Sequence, residues 1–156
     1  MNVPNLEKLA AYLESLPADY AHFNMGNFMI GRVADYLQDG QMHCGTAGCA
    51  VGHGPAAGIP LSAEQVQKIT RKINGWDASD IWQAYSEANF IPSGTPEWEW
   101  CFGGGWTNID DTPHGAAKRI RWLLAGNSPP QIEDEDGVPW PFDTSYVTIE
   151  HTEIYA

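Results

Sequence analysis

The stretch that most constrains this chain is Met42-His43-Cys44-Gly45-Thr46-Ala47-Gly48-Cys49-Ala50-Val51-Gly52-His53-Gly54. Side chains this small, crowded together, leave space that only another backbone or a large side chain can fill. The seven tryptophans of the chain supply such partners. Read locally, Gly45-Thr46 is a turn into a helix with Thr46 as N-cap. Ala47 to Val51 then forms one or two tight turns, ended by Gly52 to Gly54 and Pro55. Cys44 would stand just before that helix, where free backbone amides and the helix dipole favour a thiolate. Cys49 would lie one turn further in, among alanines and glycines.

Three chemistries are open to this stretch. Its cysteines can be small hydrophobes in a tightly packed segment. They can be metal ligands with His53, His43 or Cys101. However, structural zinc usually takes knuckles of two closely spaced cysteines, and Cys44-x4-Cys49 has no second pair. Positions five apart on a helix also point about 140° away from each other after a full turn. No metal and no cofactor are therefore expected. Lastly, Cys44 can be a nucleophile with His53 as its base and the amides of Gly45 and Thr46 as an oxyanion hole; His43 and His114 are further bases.

The Cys44-Gly45-Thr46-x-x-Cys49-x-x-Gly52 pattern resembles one that recurs in small bacteriophage and bacterial proteins without an established activity. The resemblance includes Phe23-Asn24-Met25 before the motif and, after it, a Thr112-Pro113 helix start with an Ala116-Ala117-x-x-Ile120 run. It spans about two-thirds of the chain and stops near Pro130. In proteins of this kind the His53 position is often aromatic, which weakens both the metal and the Cys/His readings.

With 156 residues, the chain has the length of one domain, 1–156. Its hydrophobic fraction of 43% is that of a globular protein. No apolar run approaches membrane-spanning length. The N-terminal residues lack the basic and apolar regions of a signal peptide. Three cysteines form no disulfide framework, so a cytoplasmic setting is expected, the host cytosol for a phage protein. The net charge of −12, with no Lys or Arg after Arg121, opposes direct nucleic-acid binding.

Periodicity predicts a mainly helical α+β fold, with about five helices and a small antiparallel sheet from the later segments. Leu6, Leu9, Leu13 and Leu16 mark a first helix ended by Pro17. Val33, Tyr36 and Leu37 mark a short one stopped by Asp39-Gly40. Ser62 and Gln65 form a capping box for a helix to about Asn74, with Val66, Ile69 and Ile73 inward. Asp77 or Ser79 caps the next, with Ile81, Trp82, Tyr85 and Ala88 inward. Thr112-Pro113 starts the last. There Ala116, Ala117, Ile120, Leu123 and Leu124 face the core, and Lys118, Arg119 and Arg121 lie outside it. Glu97 to Phe102 alternates as a short strand that can pair with a C-terminal strand over 146–155.

Binding rather than catalysis is the leading expectation, since no complete catalytic motif is present. Trp98, Trp100 and Trp106, beside Gly103 to Gly105, can line a pocket for a nucleotide-like ring. Alternatively, Glu133, Asp134, Glu135 and Asp136 can engage a host protein with a basic surface. That acidic run is not a calcium loop, because Ile132 stands where the first acidic ligand would be needed.

Overall fold

The computed structural model describes residues 1–71 and 78–129, and the backbone of 132–133 and 139–140. The fold is mainly helical α+β. Its helices are α1 (Val3–Ser15), α2 (Val33–Asp39), α3 (Ala63–Thr70), α4 (Ser79–Asn89), α5 (Pro96–Phe102) and α6 (Pro113–Leu124). Among the described residues, small antiparallel sheets pair β1 (Met29–Ile30) with β2 (Ala47–Gly48), and β3 (Ile132–Glu133) with β4 (Pro139–Trp140).

The helix ends follow their capping chemistry. Asn2, Ser62, Thr95 and Thr112 each accept a backbone N–H of the first turn through a side-chain oxygen. Ser62 and Gln65 complete both arms of the capping box. Gly40, at φ 71°, ends α2 in the left-handed conformation that glycine adopts without penalty. At α4 Ser79 is not the cap. Ser79 is already helical, and Ala78 before it contributes no side-chain bond. Asp77, Ile73 and the expected end of α3 at Asn74 lie outside the described residues, as does the segment 146–155.

The core lies between α1 and α6 and extends under α4 and α5. Leu6, Leu9 and Leu13 of α1 and Ile120 and Leu123 of α6 are buried there. The rim of that helix pair is tied by Arg121, which donates from Nε and an Nη to the two carboxylate oxygens of Glu14 at 2.8 and 3.1 Å.

Three local readings are corrected. The segment 97–102 is helical, not a strand. Thr95 caps it and Pro96 opens it, and those start signals outweigh the alternation of Glu and Trp. Arg119 is inside the core, not outside the α6 stripe. Its guanidinium stacks 4.1 Å from the centroid of the Trp106 ring and donates to the Asp110 carbonyl at 3.4 Å. On α4, Ala88 is exposed and Ser86 is buried in its place, where its hydroxyl accepts from Trp98 Nε1 at 3.0 Å.

From Thr46 to Gly54 the central motif is largely buried and tightly packed, whereas Cys44 and Gly45 before it are exposed, and it is not a helix from Ala47 to Val51. Ala47 and Gly48 form β2, and the chain then turns repeatedly to Gly58. Gly48 lies between two backbone segments, residues 22–24 and 29. It pairs with Met29, accepts from Asn24 N–H at 2.9 Å, and donates to the His22 carbonyl at 3.0 Å. Cys49 N–H then donates to the carbonyls of Asn27 and Phe28 at 2.8 and 3.2 Å. The glycines make this approach possible. A Cβ on Gly48 or Gly52 would strike the Phe28 carbonyl, and one on Gly54 would strike the Tyr85 hydroxyl.

Gly52→Ala is therefore expected to remove about 3 kcal/mol of stability or more, because backbone must move to admit the methyl. Gly104→Ala, whose methyl would meet nothing nearer than the Met25 carbonyl at 3.9 Å, should change stability by less than about 0.5 kcal/mol. Urea unfolding of the two variants beside the native chain checks this pair.

Candidate functional site

The segment pinned by those glycines, residues 26–30, walls two adjoining hollows. One, of about 160 Å³, lies between β1 and the first turn of α4 and is lined by residues 26–30, Ser79 and Trp82. The other, of about 150 Å³, is lined by residues 26–28 with Met25, Cys49, Trp98, Phe102 and Gly104. Phe28, half-buried, stands between them, and its ring meets that of Trp98 edge-on at 6.4 Å.

The three tryptophans proposed for a ring pocket are thus divided. Trp98 lines the second hollow. Trp100 and Trp106 are fully buried, edge-to-face with each other at 5.4 Å, and belong to the core. Their indole N–H groups donate to the carbonyls of Arg119 and Glu99 at 3.0 and 3.3 Å. The sequence gives no sign of which tryptophan reaches a surface, because all three fall within nine residues of aromatic and glycine positions. Asn27 and Phe28 are not singled out in a sequence reading, and Ser79 and Trp82 stand there only as a cap and a core residue, not as walls of a hollow. The one signal for the wall is the Gly48-x-x-x-Gly52 spacing, which requires some backbone to pass closely.

Trp82 carries an unusual feature. The side chain is 1% exposed and its Nε1–H has no hydrogen-bond partner. Leaving a buried donor unsatisfied costs about 1–3 kcal/mol.

The residues of the catalytic alternative do not converge as expected. Cys44 is exposed on a turn, with no helix following it, so the dipole argument for its thiolate lapses. Thr46 is committed structurally. Its N–H donates to the His43 carbonyl at 3.0 Å, its hydroxyl accepts from Arg32 N–H at 3.1 Å, and its carbonyl accepts from His22 Nδ1 at 2.7 Å. That amide is therefore not free for an oxyanion. Gly45, at φ 81°, makes the turn. His43 Nε2 lies 2.8 Å from the Asp39 carboxylate, and His114 Nε2 donates to the Leu16 carbonyl at 2.6 Å.

His53 is fully buried. Its Nδ1–H donates to the Cys49 carbonyl at 2.8 Å, which fixes the tautomer and leaves Nε2 as an unpartnered lone pair. Phe23, Tyr20 and Tyr12 surround the ring at centroid distances of 5.5, 6.1 and 6.3 Å. Burial is the main reason its pKa falls to about 4; the Cys49 bond works against that shift, and the nearby charge of His22 adds to it. Burial also pushes the Cys49 thiol up to about 11 and raises the Cys101 thiol well above its ordinary value. Neither is a thiolate near neutral pH.

Among the described residues, no three His, Cys, Asp or Glu side chains gather as a metal site requires, and no helix is long and apolar enough to cross a membrane. Glu133 contributes its backbone to β3; its side chain, and Asp134, Glu135 and Asp136, lie outside the described residues. No family model, curated protein or solved structure matches the chain.

Two outcomes follow from burial. His53 has a folded-state pKa below its unfolded value of 6.5, so the unfolded chain binds the extra proton first as pH falls. Its contribution is complete above pH 6.5 and is lost towards pH 4, a change of about 3 kcal/mol. His53→Phe should keep the fold and flatten the stability profile across that window, measured by denaturant unfolding at several pH values. Iodoacetamide on the native protein should modify Cys44 alone, as read by peptide mass spectrometry, with Cys49 and Cys101 reacting only after unfolding.

Proposed function

We propose that this protein is a small non-catalytic binding protein that sequesters a nucleotide-like molecule in the two-lobed cleft along residues 26–30. The observation that carries the reading is the pair of adjoining hollows, each ring-sized, with aromatic walls from Phe28, Trp82 and Trp98. A planar group stacks on such walls, and polar backbone beside them fixes its orientation. The resemblance of the central motif to phage and bacterial proteins favours a role in the host cytosol, as an antagonist of a defence that signals through small molecules. Engagement of a basic host protein by the acidic run from Glu133 to Asp136 is the other form of the binding reading, and only the net charge of −12 favours it.

A second reading, a Cys44-dependent hydrolase or transferase, is favoured by one geometry. The Asp39 carboxylate holds His43 Nε2 at 2.8 Å, and the exposed Cys44 follows His43 in sequence, so an orienting acid, a base and a nucleophile lie within six residues. His53 has no part in that arrangement, since its one N–H is spent on Cys49.

Incubation with a host nucleotide extract, followed by filtration and chromatography of both fractions, tests the lead reading. The expected outcome is one nucleotide-like compound retained with the protein and released chemically unchanged on heating. Its recovery in altered form, with the change abolished by Cys44→Ala, would favour the enzyme instead. A pull-down of a stoichiometric basic protein with no small molecule retained would favour the acidic loop.

A further inference from the structure

We infer that the hollow beside Trp98 is a subsite for one uncharged, apolar six-membered ring, which enters past Gly104 and lies among the rings of Phe28, Trp98 and Phe102. This assignment deepens the binding reading above and rests on it, since it names the group that the ligand carries into this lobe. Size is the first argument. The space of about 150 Å³ matches the roughly 150 Å³ of an engineered apolar protein cavity that holds benzene.

The walls are the second argument. Phe28 meets Trp98 edge-on at 6.4 Å, and Trp98 meets Phe102 edge-on at 5.9 Å, so three rings in series line one space. Phe28 is half-buried and Trp98 keeps 9% of its surface open, whereas Trp100 and Trp106 are closed off completely. A further ring placed here gains aromatic contacts beyond the burial of its area.

Polarity is the third argument. The Trp98 Nε1–H already donates to Ser86 at 3.0 Å, and burial holds the Cys49 thiol neutral. No Lys, Arg, His, Asp or Glu stands among the described lining residues. A charged group brought into this lobe would lose its hydration with no counter-charge in return, and an apolar ring escapes that penalty. Asn27, which carries the amide side chain of the described lining, lines the other hollow as well. The polar part of the ligand therefore lies beyond this lobe, towards the other hollow and solvent.

The entrance follows from Gly104, which is exposed and lines the hollow. A Cβ there would meet nothing nearer than the carbonyl of Met25 at 3.9 Å, and Met25 lines the same hollow. A larger side chain at this position narrows the entrance without displacing backbone.

The test uses benzene as the probe, on the full chain carrying carbon-13 in its methionine methyl groups. Met25 lines this hollow and Met29 the other, so their methyl signals report the two lobes separately. Met25→Leu and Met29→Leu assign the two signals by their disappearance. Benzene is expected to move the Met25 signal saturably and further than the Met29 signal, while uracil and inorganic phosphate leave Met25 in place. Gly104→Leu should weaken benzene binding roughly tenfold or more, because its side chain takes the space of the ring, with the far-ultraviolet circular dichroism unchanged. If that variant fails to fold, Gly104→Ala should still weaken binding measurably. A Met25 signal unmoved at the solubility limit of benzene, an equal shift with uracil, or a shift that both Gly104 variants leave intact would overturn the assignment. Retention of a host nucleotide with Met25 unmoved by benzene would leave the binding reading standing and this subsite wrong. A Met25 shift by benzene with no host nucleotide retained would do the reverse.

Discussion

Everything at the candidate site depends on how closely the backbone at Gly48 and Gly52 approaches the Phe28 carbonyl. No side chain can stand between them. The amide of Cys49 reaches the carbonyls of Asn27 and Phe28 across that seam, and Gly48, opposite Met29, is bonded on its other side to His22 and Asn24. A segment as polar in its backbone as 26–30 would otherwise have no reason to lie flat against a core. Once pinned there it becomes the shared wall of two hollows. Phe28 then meets Trp98 of α5 edge-on, and Met29 lines one hollow together with Trp82 of α4.

The same seam explains the burial of His53. The turn that follows Cys49 carries the imidazole inward, and the Cys49 carbonyl takes its one N–H. Aromatic rings fill the rest of the space, so the neutral form is the one the fold accepts. Elsewhere in the core the tryptophans do a comparable task for Arg119. Its charge lies on the Trp106 ring, while its own carbonyl receives Trp100. Tryptophan here is chiefly a way to bury polar groups with partners, and that use leaves Trp98 and Trp82 at the cleft.

Much of the fold was legible in the sequence because it rests on local signals. Thr112-Pro113, the Ser62–Gln65 pair and Asp39-Gly40 each specify a helix end through bonds within a few residues. The central motif was legible as a place of close packing but not in its conformation. Small residues permit both a helix and a strand, and the choice is made by residues 22–30, which are distant in sequence. For the same reason Glu97 to Phe102 misleads. Its alternation suggests a strand, yet the cap at Thr95 decides. The site itself was least legible. Whether a tryptophan closes the core or faces a hollow, and whether its N–H has a partner, depends on elements that meet only in three dimensions.

The seam is a structural unit that opens only when the whole fold opens. Native-state hydrogen exchange of the Cys49 amide measures this most directly. If the seam holds the wall as described, that amide exchanges with the free energy of global unfolding and shares its dependence on denaturant. Exchange by a local opening far below the global value, with the core of α1 and α6 still protected, would mean that residues 26–30 are not fixed by Gly48 and Gly52. The cleft would then not be a preformed site.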